Sequence, residues 1–592
     1  MPIRLQCVVL CVAALLCAPV ARAAGQVDGA VAARVRNELV LAGGALHVCS
    51  SLALRDCTSA DVFDGSVVRH PSTHVFDAPG IAALDRDPLW ARQRTQRTRL
   101  MGALRHLVHA RAAEALTADA MRDLLEATCV DGKVRVARCR ASVTSPFAGL
   151  DDDGQSMVLA AFEVPQRDAR GLRRVERASL EHSRNPHGVA VLHAFVNAAR
   201  SRTGSSRPRI ALVTASAFDP FDPVDMYRDA LRQAGADVVW WPLDAALARA
   251  VFGGGGCDAL PMWREEQLGL PRRAHVYPDL HARQLAACRD PDSLVALPES
   301  VHGVFFTGGD QWRLRRAFFD GDDAPNAWLR ALRTAVQRGD VVIGGTSAGS
   351  AVQSGAAMLS NGTPAHAVAH GAVASPPPAP GCTRAQACID GLDEDTMTFW
   401  PAGGLGLAPG FIVDTHFSQR NRELRLLQLL TRTGTRWGLG ADETSALHAT
   451  WSIDGRVRID AVGASGGWVF DARDACVGAD LRVNAHLLAP GAQLRIGVSG
   501  AASLVVDAAA MHPPTAHVAP AGGDDARAVL RSAARRLANA AQVHSQAPGL
   551  PRVTLERGPG FRAWNLPDQP IGVFDIVLRV ADWGACAGPR RL

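Results

Sequence analysis

Short apolar segments alternate with longer amphipathic ones between Ile210 and Ala441, and this alternation constrains the fold more than any other feature of the sequence. The apolar segments predict six strands: Ile210–Thr214, Val238–Leu243, Gly303–Thr307, Val341–Gly345, Phe411–Thr415 and Trp437–Ala441. Helical patterns lie between them, at Val224–Gln233, Ala327–Arg338 and Arg420–Thr431. Strands that alternate with helices form parallel sheets with helices on both faces. The sequence therefore predicts an α/β fold with a doubly wound, mostly parallel sheet.

The chain has 592 residues, more than one hydrophobic core can organise, so we expect further regions around this sheet. Residues 24–185 are rich in Ala and Arg and mostly helical in pattern, which indicates an N-terminal helical accessory domain. The main domain is expected at residues 186–496, followed by a C-terminal extension at 497–592 with a helix near Asp525–Ala541. Pro- and Gly-rich Ser360–Cys388 interrupts the strand pattern and indicates a surface loop or an active-site lid.

The amino terminus has the pattern of a secretory signal peptide. Arg4 precedes an apolar run from Leu5 to Val20, and Ala21-Arg22-Ala23 provides small residues for cleavage after Ala23. The alternative is a membrane anchor, but this run is shorter than the roughly 20 residues that span a bilayer. We therefore expect residues 1–23 to be removed and the mature protein to be secreted or periplasmic, without membrane association.

Ten of the 13 cysteines lie beyond residue 23, an even number that suits an oxidising compartment. Their spacing favours five disulfides, Cys49–Cys57, Cys129–Cys139, Cys257–Cys288, Cys382–Cys388 and Cys476–Cys586. Zinc binding is the poorer alternative because no pair of two-Cys knuckles repeats along the chain. We expect no metal.

The charged residues nearly balance, with 63 Lys and Arg against 58 Asp and Glu, and they form no local basic stripe. This charge is too dilute for a nucleic-acid binder. Lys133 is the only lysine, so a lysine nucleophile or a Schiff base would depend on that residue. The acidic segment Asp151–Gly154 lacks the other carboxylates that a calcium loop needs, and it indicates a solvated turn.

The strongest chemical motif is Gly345-Thr346-Ser347-Ala348-Gly349, which follows an apolar strand and precedes small helix-forming residues. A Gly-x-Ser-x-Gly segment between a strand and a helix exposes its serine on a sharp turn. Glycines flank such a turn because side chains there would collide with the crossing backbone. The alternatives are a phosphate-binding turn at a helix N-terminus and a simple tight connection. Ser347 is therefore the candidate nucleophile.

A loop with paired glycines ends the strand that precedes the serine strand. Gly303–Thr307 runs into Gly308–Gln311 at the carboxyl edge, where ligands bind in parallel sheets. An amide near Gly309 and the amide of Ala348 would form an oxyanion hole, which typically accelerates acyl transfer about 100-fold or more. The alternative is an ordinary glycine turn capped by Asp310.

A base and an acid follow the next two predicted strands. His416 comes just after Phe411–Thr415 and could reach a serine at the same sheet edge. Asp442 and Glu443 follow the next strand, and we favour Glu443 as the carboxylate that holds the imidazole. The order serine, histidine, acid differs from the serine, acid, histidine order of α/β-hydrolases. It is compatible with a class I glutamine-amidotransferase-like sheet.

Four motifs occur in order along the chain: Phe306–Gln311, Gly345–Gly349, Asp414–Leu426 and Gly440–Thr444. Together they resemble the cyanophycinases, serine peptidases whose family also contains aspartyl dipeptidases. The resemblance covers roughly Arg207–Leu494. It implies a flavodoxin-like or class I glutamine-amidotransferase-like fold, no metal or cofactor, and a homodimer.

The resemblance also implies a triad of Ser347, His416 and Glu443 and a substrate pocket. The pocket would be lined by Asp310, Gln311, Asp414, Thr415, Arg420, Arg422 and Arg425. Thr415 replaces the glutamine that usually precedes the catalytic histidine, so one pocket hydrogen bond should differ. For a substrate guanidinium group, the acidic segments Asp219–Asp225 and Asp393–Asp395 are candidates.

The predicted function is an exported serine-type peptidase that hydrolyses cyanophycin or related β-aspartyl (isopeptide) peptides to β-aspartyl-arginine-type dipeptides through an acyl-enzyme. One alternative is an exported serine esterase or acyltransferase that uses the same elbow. Another is a non-catalytic peptide-binding protein that retains the fold. The expected partner is a peptide, not a nucleic acid.

Overall fold

The computed structural model describes residues 35–86, 94–111, 113–131, 135–139, 143–321, 323–389, 391–506, 527–565 and 570–586. The predicted signal peptide, residues 1–23, lies outside these ranges. Within them, no helix combines the length and the apolar character that crossing a bilayer requires. The fold is a mixed α/β structure with two large sheets.

The strands of the two large sheets are numbered in chain order as β1 Val35–Ala42, β2 Arg209–Val213, β3 Asp237–Trp240, β4 Gly303–Phe306, β5 Val342–Thr346, β6 Phe411–Thr415, β7 Trp437–Ala441, β8 Ser445–Ser452, β9 Val457–Gly463, β10 Gly467–Asp471, β11 Cys476–Val477, β12 Asp480–Leu488, β13 Ala492–Ile496, β14 Ala502–Val506, β15 Gln542–Ser545, β16 Val553–Trp564 and β17 Gly572–Val580. Shorter strands are Cys49–Ser50, Thr73–His74, Leu116–Thr117, Thr128–Asp131, Arg135–Arg138, Ala178–Ser179, Met358–Leu359, Val373–Ala374 and Thr398–Trp400.

The α-helices are Ala78–Arg86, Arg94–Ala110, Ala118–Glu126, Asp152–Phe162, Pro186–Thr203, Val224–Gln233, Ala245–Phe252, Leu260–Leu268, Arg273–Val276, Pro278–Arg289, Pro291–Ala296, Gln311–Phe318, Ala327–Arg338, Ala348–Ala351, Pro364–His370, Cys382–Ala385, Glu423–Thr433 and Val529–Arg536. Two of them, Val224–Gln233 and Ala327–Arg338, have the bounds that the sequence predicts. Asn326 begins the second by accepting a hydrogen bond from the Leu329 N–H, and Gly339 ends it with φ 83°.

Within the described ranges, the first sheet has nine strands in the order β14-β13-β9-β8-β1-β5-β4-β2-β3. The five strands from β1 to β3 in this order are parallel, whereas β8, β9, β13 and β14 are joined antiparallel. Every residue of β4 is buried, and Phe305 faces a different core from Val304 and Phe306. Burial on both faces is typical of parallel strands covered by helices. The predicted parallel arrangement is therefore present in one half of a mixed sheet.

The second sheet has the order β6-β7-β10-β12-β17-β16-β15, with β11 paired to β12. The β6–β7 pair is parallel, and the pairs that follow it are antiparallel. The prediction of a single sheet that contains β2 to β7 is therefore wrong for β6 and β7. Their expected place beside β5 is filled by β1, which pairs with β5 along its length.

Strand β1 lies in a region whose pattern predicts helices. Its last four residues, Leu39–Ala42, are each at most 1% exposed, and alternate side chains contact opposite cores. A strand buried on both faces shows a continuous apolar run instead of alternation, and a run of four cannot be distinguished from part of a helix. The N-terminal region thus contributes a central strand to the first sheet.

The helix predicted at Arg420–Thr431 begins later, at Glu423. The preceding residues Ser418–Arg420 form a 3₁₀ turn, and Asn421 has φ 49°. This left-handed conformation ends the turn before the helix starts. The C-terminal helix Val529–Arg536 lies within the predicted Asp525–Ala541 but is shorter.

The five predicted disulfides are all present: Cys49–Cys57, Cys129–Cys139, Cys257–Cys288, Cys382–Cys388 and Cys476–Cys586. Four of them join residues no more than 31 positions apart. The fifth joins residues 110 positions apart and links the end of the described chain to the second sheet.

Candidate active site

Ser347 follows β5 at the sharp turn into the helix Ala348–Ala351. Its backbone has φ 54° and ψ −120°, a strained conformation for a residue other than glycine. A Cβ on Gly345 would lie 2.3 Å from the Gly349 oxygen, and a Cβ on Gly349 would lie 2.2 Å from the Phe306 oxygen. Both flanking glycines are therefore required by backbone contacts, as the motif predicts.

Three side chains form a continuous series of hydrogen bonds at this turn. Ser347 Oγ lies 2.8 Å from His416 Nε2, and His416 Nδ1 lies 2.6 Å from Glu443 Oε1. Ser347 comes from the first sheet, whereas His416 follows β6 and Glu443 follows β7 in the second. The structure thus brings the three predicted triad residues together where the two sheets meet.

The surroundings of His416 favour its neutral form. Burial lowers the pKa of His416 below its ordinary 6.5, and the positive charges of Arg420 and Arg422 act in the same direction, whereas Glu443 opposes them. The hydrogen bond with His416 lowers the pKa of Glu443, against the effect of burial. At neutral pH the site therefore holds a neutral imidazole beside an ionised carboxylate, which is the state a general base requires.

The paired glycines after β4 lie against Ser347. A Cβ on Gly308 would lie 3.3 Å from Ser347 Cβ and 3.9 Å from Ser347 Oγ. Gly309 has φ 141°, and a Cβ there would lie 2.2 Å from the Ser216 oxygen. A side chain is therefore excluded at Gly309, and Gly308 brings the loop into contact with Ser347.

Asp442 and Glu443 face different environments. Asp442 is fully buried and accepts hydrogen bonds from the Ser418 N–H (2.9 Å) and from Arg531 Nη1 (2.7 Å). Glu443 reaches His416, and its own N–H donates to Gln419 Oε1 at 3.1 Å. Of the two acids, Glu443 is therefore the one that lies within hydrogen-bonding distance of His416.

The segment after β1 supports the histidine, a role that the helical pattern predicted for this region does not indicate. The His416 N–H donates to the Gly43 oxygen at 2.9 Å, and the Thr444 N–H donates to the Gly44 oxygen at 3.0 Å. Gly44 has φ 106°, and a Cβ there would lie 2.5 Å from two atoms of the His416 ring. A pair of glycines at residues 43–44 after an apolar run was the one available signal.

Ser347 and His416 open onto a cleft of about 870 Å³, a volume typical of a small-molecule or peptide site. All of the predicted pocket residues line it, namely Asp310, Gln311, Asp414, Thr415, Arg420, Arg422 and Arg425. Asp310 also begins a helix by accepting a hydrogen bond from the Trp312 N–H at 2.7 Å. Gln311 Nε2 donates to the Leu359 oxygen at 2.9 Å and so connects the cleft floor to the chain beyond the elbow.

Asp414 forms ion pairs with two of the three predicted arginines. Arg425 contacts both Asp414 oxygens, with Nη2 at 2.6 Å from Oδ1 and 2.9 Å from Oδ2, and Arg422 Nη1 lies 3.5 Å from Oδ1. Burial would raise the pKa of Asp414, but Arg425 and Arg422 outweigh it and lower that pKa. Burial lowers the pKa of Arg422 to about 9. Arg420 is exposed and makes no ion pair with a described residue.

The Ser360–Cys388 insertion and the N-terminal region form walls of the cleft. Pro377–Pro380 and Glu394 line one side, and Asp152 and Asp153 line another. Arg384 Nη2 joins these walls, because it lies 2.6 Å from Asp152 Oδ1. The predicted solvated turn at Asp151–Gly154 is instead the start of a helix, where Asp151 accepts a hydrogen bond from the Gly154 N–H.

One predicted guanidinium site does not face the cleft. Of the segment Asp219–Asp225, Asp219 pairs with Arg273 at 2.9 Å and Asp225 with Arg173 at 2.6 Å. These carboxylates are engaged in buried ion pairs with other parts of the chain, and none lines the cleft. The second candidate segment contributes Glu394, which is exposed and makes no ion pair with a described residue.

No group of three or more His, Cys, Asp and Glu side chains suited to a metal ion occurs among the residues with described positions.

Curated relatives of the chain are cyanophycinases. It is 29% identical over 234 residues to the cyanophycinase of Synechococcus elongatus, covering 37% of this chain and 61% of that protein. It is 28% identical over 260 residues to the cyanophycinase of Trichormus variabilis, covering 44% of this chain and 72% of that protein. The chain thus spans less than two thirds of the length of the first relative. These matches confirm the predicted resemblance.

No family model matches the chain. Among solved structures, the crystal structure of a peptidase from an acI-B1 Actinobacterium aligns with a TM-score of 0.28 and 13% identity, covering 54% of this chain and 87% of that one.

Proposed function

The chain is a relative of the cyanophycinases, and from that relationship we propose that it is a serine-type peptidase acting on cyanophycin or related β-aspartyl peptides. Its products would be β-aspartyl-arginine-type dipeptides. The signal-peptide pattern at residues 1–23 and the five disulfides support export to the periplasm or the medium. The same relationship supports a homodimer.

The hydrogen-bonded series from Ser347 through His416 to Glu443 carries this proposal. Ser347 Oγ attacks the carbonyl carbon of the scissile amide while His416 Nε2 takes its proton, and Glu443 stabilises the resulting imidazolium. The developing oxyanion accepts hydrogen bonds from backbone amides of the Gly309 loop and Ala348. His416 then protonates the leaving amine, which leaves an acyl-enzyme on Ser347. A water molecule, deprotonated by His416, then attacks the acyl carbon. The ester bond to Ser347 breaks, the acid is released, and His416 returns the proton to Ser347 Oγ.

The charges of the cleft support a substrate with both carboxylate and guanidinium groups. Cyanophycin has a poly-aspartate backbone whose side-chain carboxylates are amide-linked to arginine. Arg420 is exposed beside His416, and Arg422 lines the same wall, so these two are the candidates for a substrate carboxylate. Arg425 serves mainly to hold Asp414. Glu394, on the insertion side, is the candidate for the guanidinium group.

The strand order supports the flavodoxin-like or class I glutamine-amidotransferase-like origin that the resemblance implies. Numbered from β2, the strands β2 to β5 follow the order 2-1-3-4 of a flavodoxin-like sheet. Strand β1 takes the fifth position, which a strand after β5 would otherwise occupy. We propose that the first sheet is a doubly wound sheet of this type, with its last parallel strand supplied from the N-terminal region.

The test is to incubate the mature protein with cyanophycin and to identify the products by mass spectrometry. We expect β-aspartyl-arginine dipeptides. Turnover of simple esters without cleavage of any β-aspartyl peptide would favour an esterase or acyltransferase. Peptide binding without fluorophosphonate labelling of Ser347 would favour a non-catalytic binding protein.

The recognition step has its own test in Arg422→Lys, because lysine lacks the planar fork that binds a carboxylate with two hydrogen bonds. We expect KM for a β-aspartyl-arginine oligomer to rise far more than KM for an uncharged activated ester. An equal loss on both substrates would indicate structural damage. An unchanged KM for the oligomer would remove Arg422 from the binding site.

A further inference from the structure

The C-terminal helix Val529–Arg536 packs against the two loops that carry the candidate base and acid. Its first N–H, from Val529, donates to Asn421 Oδ1 at 3.1 Å, in the loop that follows His416. Arg531, two residues later, reaches Asp442, the residue that precedes Glu443. One short helix from the extension beyond residue 496 therefore contacts both loops.

Asp442 is the point where these contacts converge. Its Oδ1 accepts the Ser418 N–H, two residues after His416, and its Oδ2 accepts Arg531 Nη1 at 2.7 Å. Arg531 Nη1 also lies 3.1 Å from Ser465 Oγ, just before β10. The carboxylate thus connects the loop after β6, the loop after β7 and the C-terminal helix.

The burial of this pair makes the cation necessary. The side chain of Asp442 is 0% exposed and that of Arg531 is 3% exposed. A buried carboxylate without a cation is strongly unfavourable, and removing one partner of such a pair leaves the other uncompensated. The neighbouring acid Glu423 does not add a second charge at neutral pH, because burial raises its pKa to about 8. Arg531 and Asp442 therefore balance one another.

We propose that Arg531 is a positioning residue for the candidate active site: by neutralising Asp442 it fixes the loops that hold His416 and Glu443 in hydrogen-bonding distance. This role rests on the proposed serine chemistry. It gives the C-terminal extension a function in catalysis without any contact with substrate, since Arg531 lies outside the residues that line the cleft.

The experiment compares Arg531→Met, Arg531→Lys and the double variant Arg531→Met/Asp442→Asn in the full mature chain. The matched control is Arg536→Met, which alters an exposed arginine of the same helix. Two kinds of measurement are made: kcat and KM for a β-aspartyl-arginine oligomer, and the rate of fluorophosphonate labelling at Ser347, which needs the triad but not peptide recognition.

For Arg531→Met we expect kcat and the labelling rate to fall about 10- to 100-fold with KM changed less than about twofold, since displaced catalytic groups affect turnover and not binding. Arg531→Lys should retain more of both rates because it keeps the charge. The double variant should recover most of the loss, because the neutral amide still accepts the Ser418 N–H without needing a cation. Arg536→Met should match the wild type.

Wild-type labelling in Arg531→Met, or no recovery in the double variant, would overturn the role of Arg531. If Arg531→Met does not fold, Arg531→Lys and the double variant decide the question, because both leave no uncompensated charge. A wild-type protein that is labelled at Ser347 but cleaves no β-aspartyl peptide would overturn the proposed substrate and not this inference.

Discussion

Asp442 and Glu443 are neighbours in the chain, yet their carboxylates point into opposite environments. The first is fully buried with Arg531, and the second reaches His416 near the cleft. Both acids follow β7 directly, so sequence position alone does not distinguish them. What separates their roles is a cation from a helix about 90 residues further along, which no local pattern reveals.

Ser347→Ala removes the candidate nucleophile while leaving the backbone amides of the elbow in place. We expect kcat to fall about 1000-fold or more, with little change in the melting temperature. The comparison is with Ser499→Ala, an exposed serine that does not line the cleft. Near-normal turnover in Ser347→Ala would rule out the proposed mechanism.

The lowered pKa of His416 sets the acid limit of activity. Because the folded pKa lies below 6.5, His416 stays neutral at pH 7 and gains a proton only as the pH falls through that lowered pKa. We expect kcat/KM to decline there. Between the folded pKa and 6.5, the unfolded chain binds a proton at His416 that the folded chain does not bind. The free energy of unfolding therefore also decreases as the pH is lowered through this range. A rate profile that stays flat to about pH 4 would require another base.

At the scale of elements, the strands from β2 to β7 and several helices could be predicted from the sequence, because each has a strong local pattern of apolar residues. It did not predict which strands pair. The expected position of β6 beside β5 is taken by β1, whose partner Ile343 lies about 300 residues from Leu39. Local periodicity reports whether a residue is buried and contains no information on such a distant partner.

Gly44→Ala tests the contribution of the segment after β1 to the site. The added Cβ would overlap the His416 ring, and φ 106° is strained for alanine, so we expect kcat to fall about 100-fold. The control is Gly171→Ala, where φ is 77° but no atom lies within 4 Å of the new Cβ. That variant should lose about 1 kcal/mol of stability and keep its activity. If Gly44→Ala turns over like the wild type, the segment has no role in placing His416.

At the scale of the whole molecule, the disulfides give a direct test of the compartment. We expect close to zero free thiols when the denatured, unreduced mature protein is titrated, because all ten cysteines beyond residue 23 are paired. The same titration after reduction should give about ten thiols per chain. Mostly free thiols before reduction would contradict both the pairing and the expected export.

For the candidate site, as for the fold, some parts could be predicted from the sequence and others could not. Ser347, His416 and Glu443 could be predicted as candidates because each closely follows an apolar strand, although the strands before His416 and Glu443 lie in the second sheet and not beside β5. Contributions from the flanking regions could not: Gly44, Asp152 and Arg531 reach the site from outside the segment that resembles known peptidases. Their local sequence shows ordinary helices and turns, and their importance arises from tertiary contacts alone.

The central position of β1 also determines when the molecule can be completed. This strand is synthesised before its two neighbours, β5 and β8, which follow roughly 300 and 400 residues later. Until then both edges of β1 lack their partner strands. The parallel half of the sheet and its antiparallel half, which meet at β1, cannot yet be joined. Contacts this distant in sequence are slow to form and leave unpaired strand edges exposed to other chains. The first sheet, and with it the support for His416, can therefore be completed only after β5 and β8 have been synthesised.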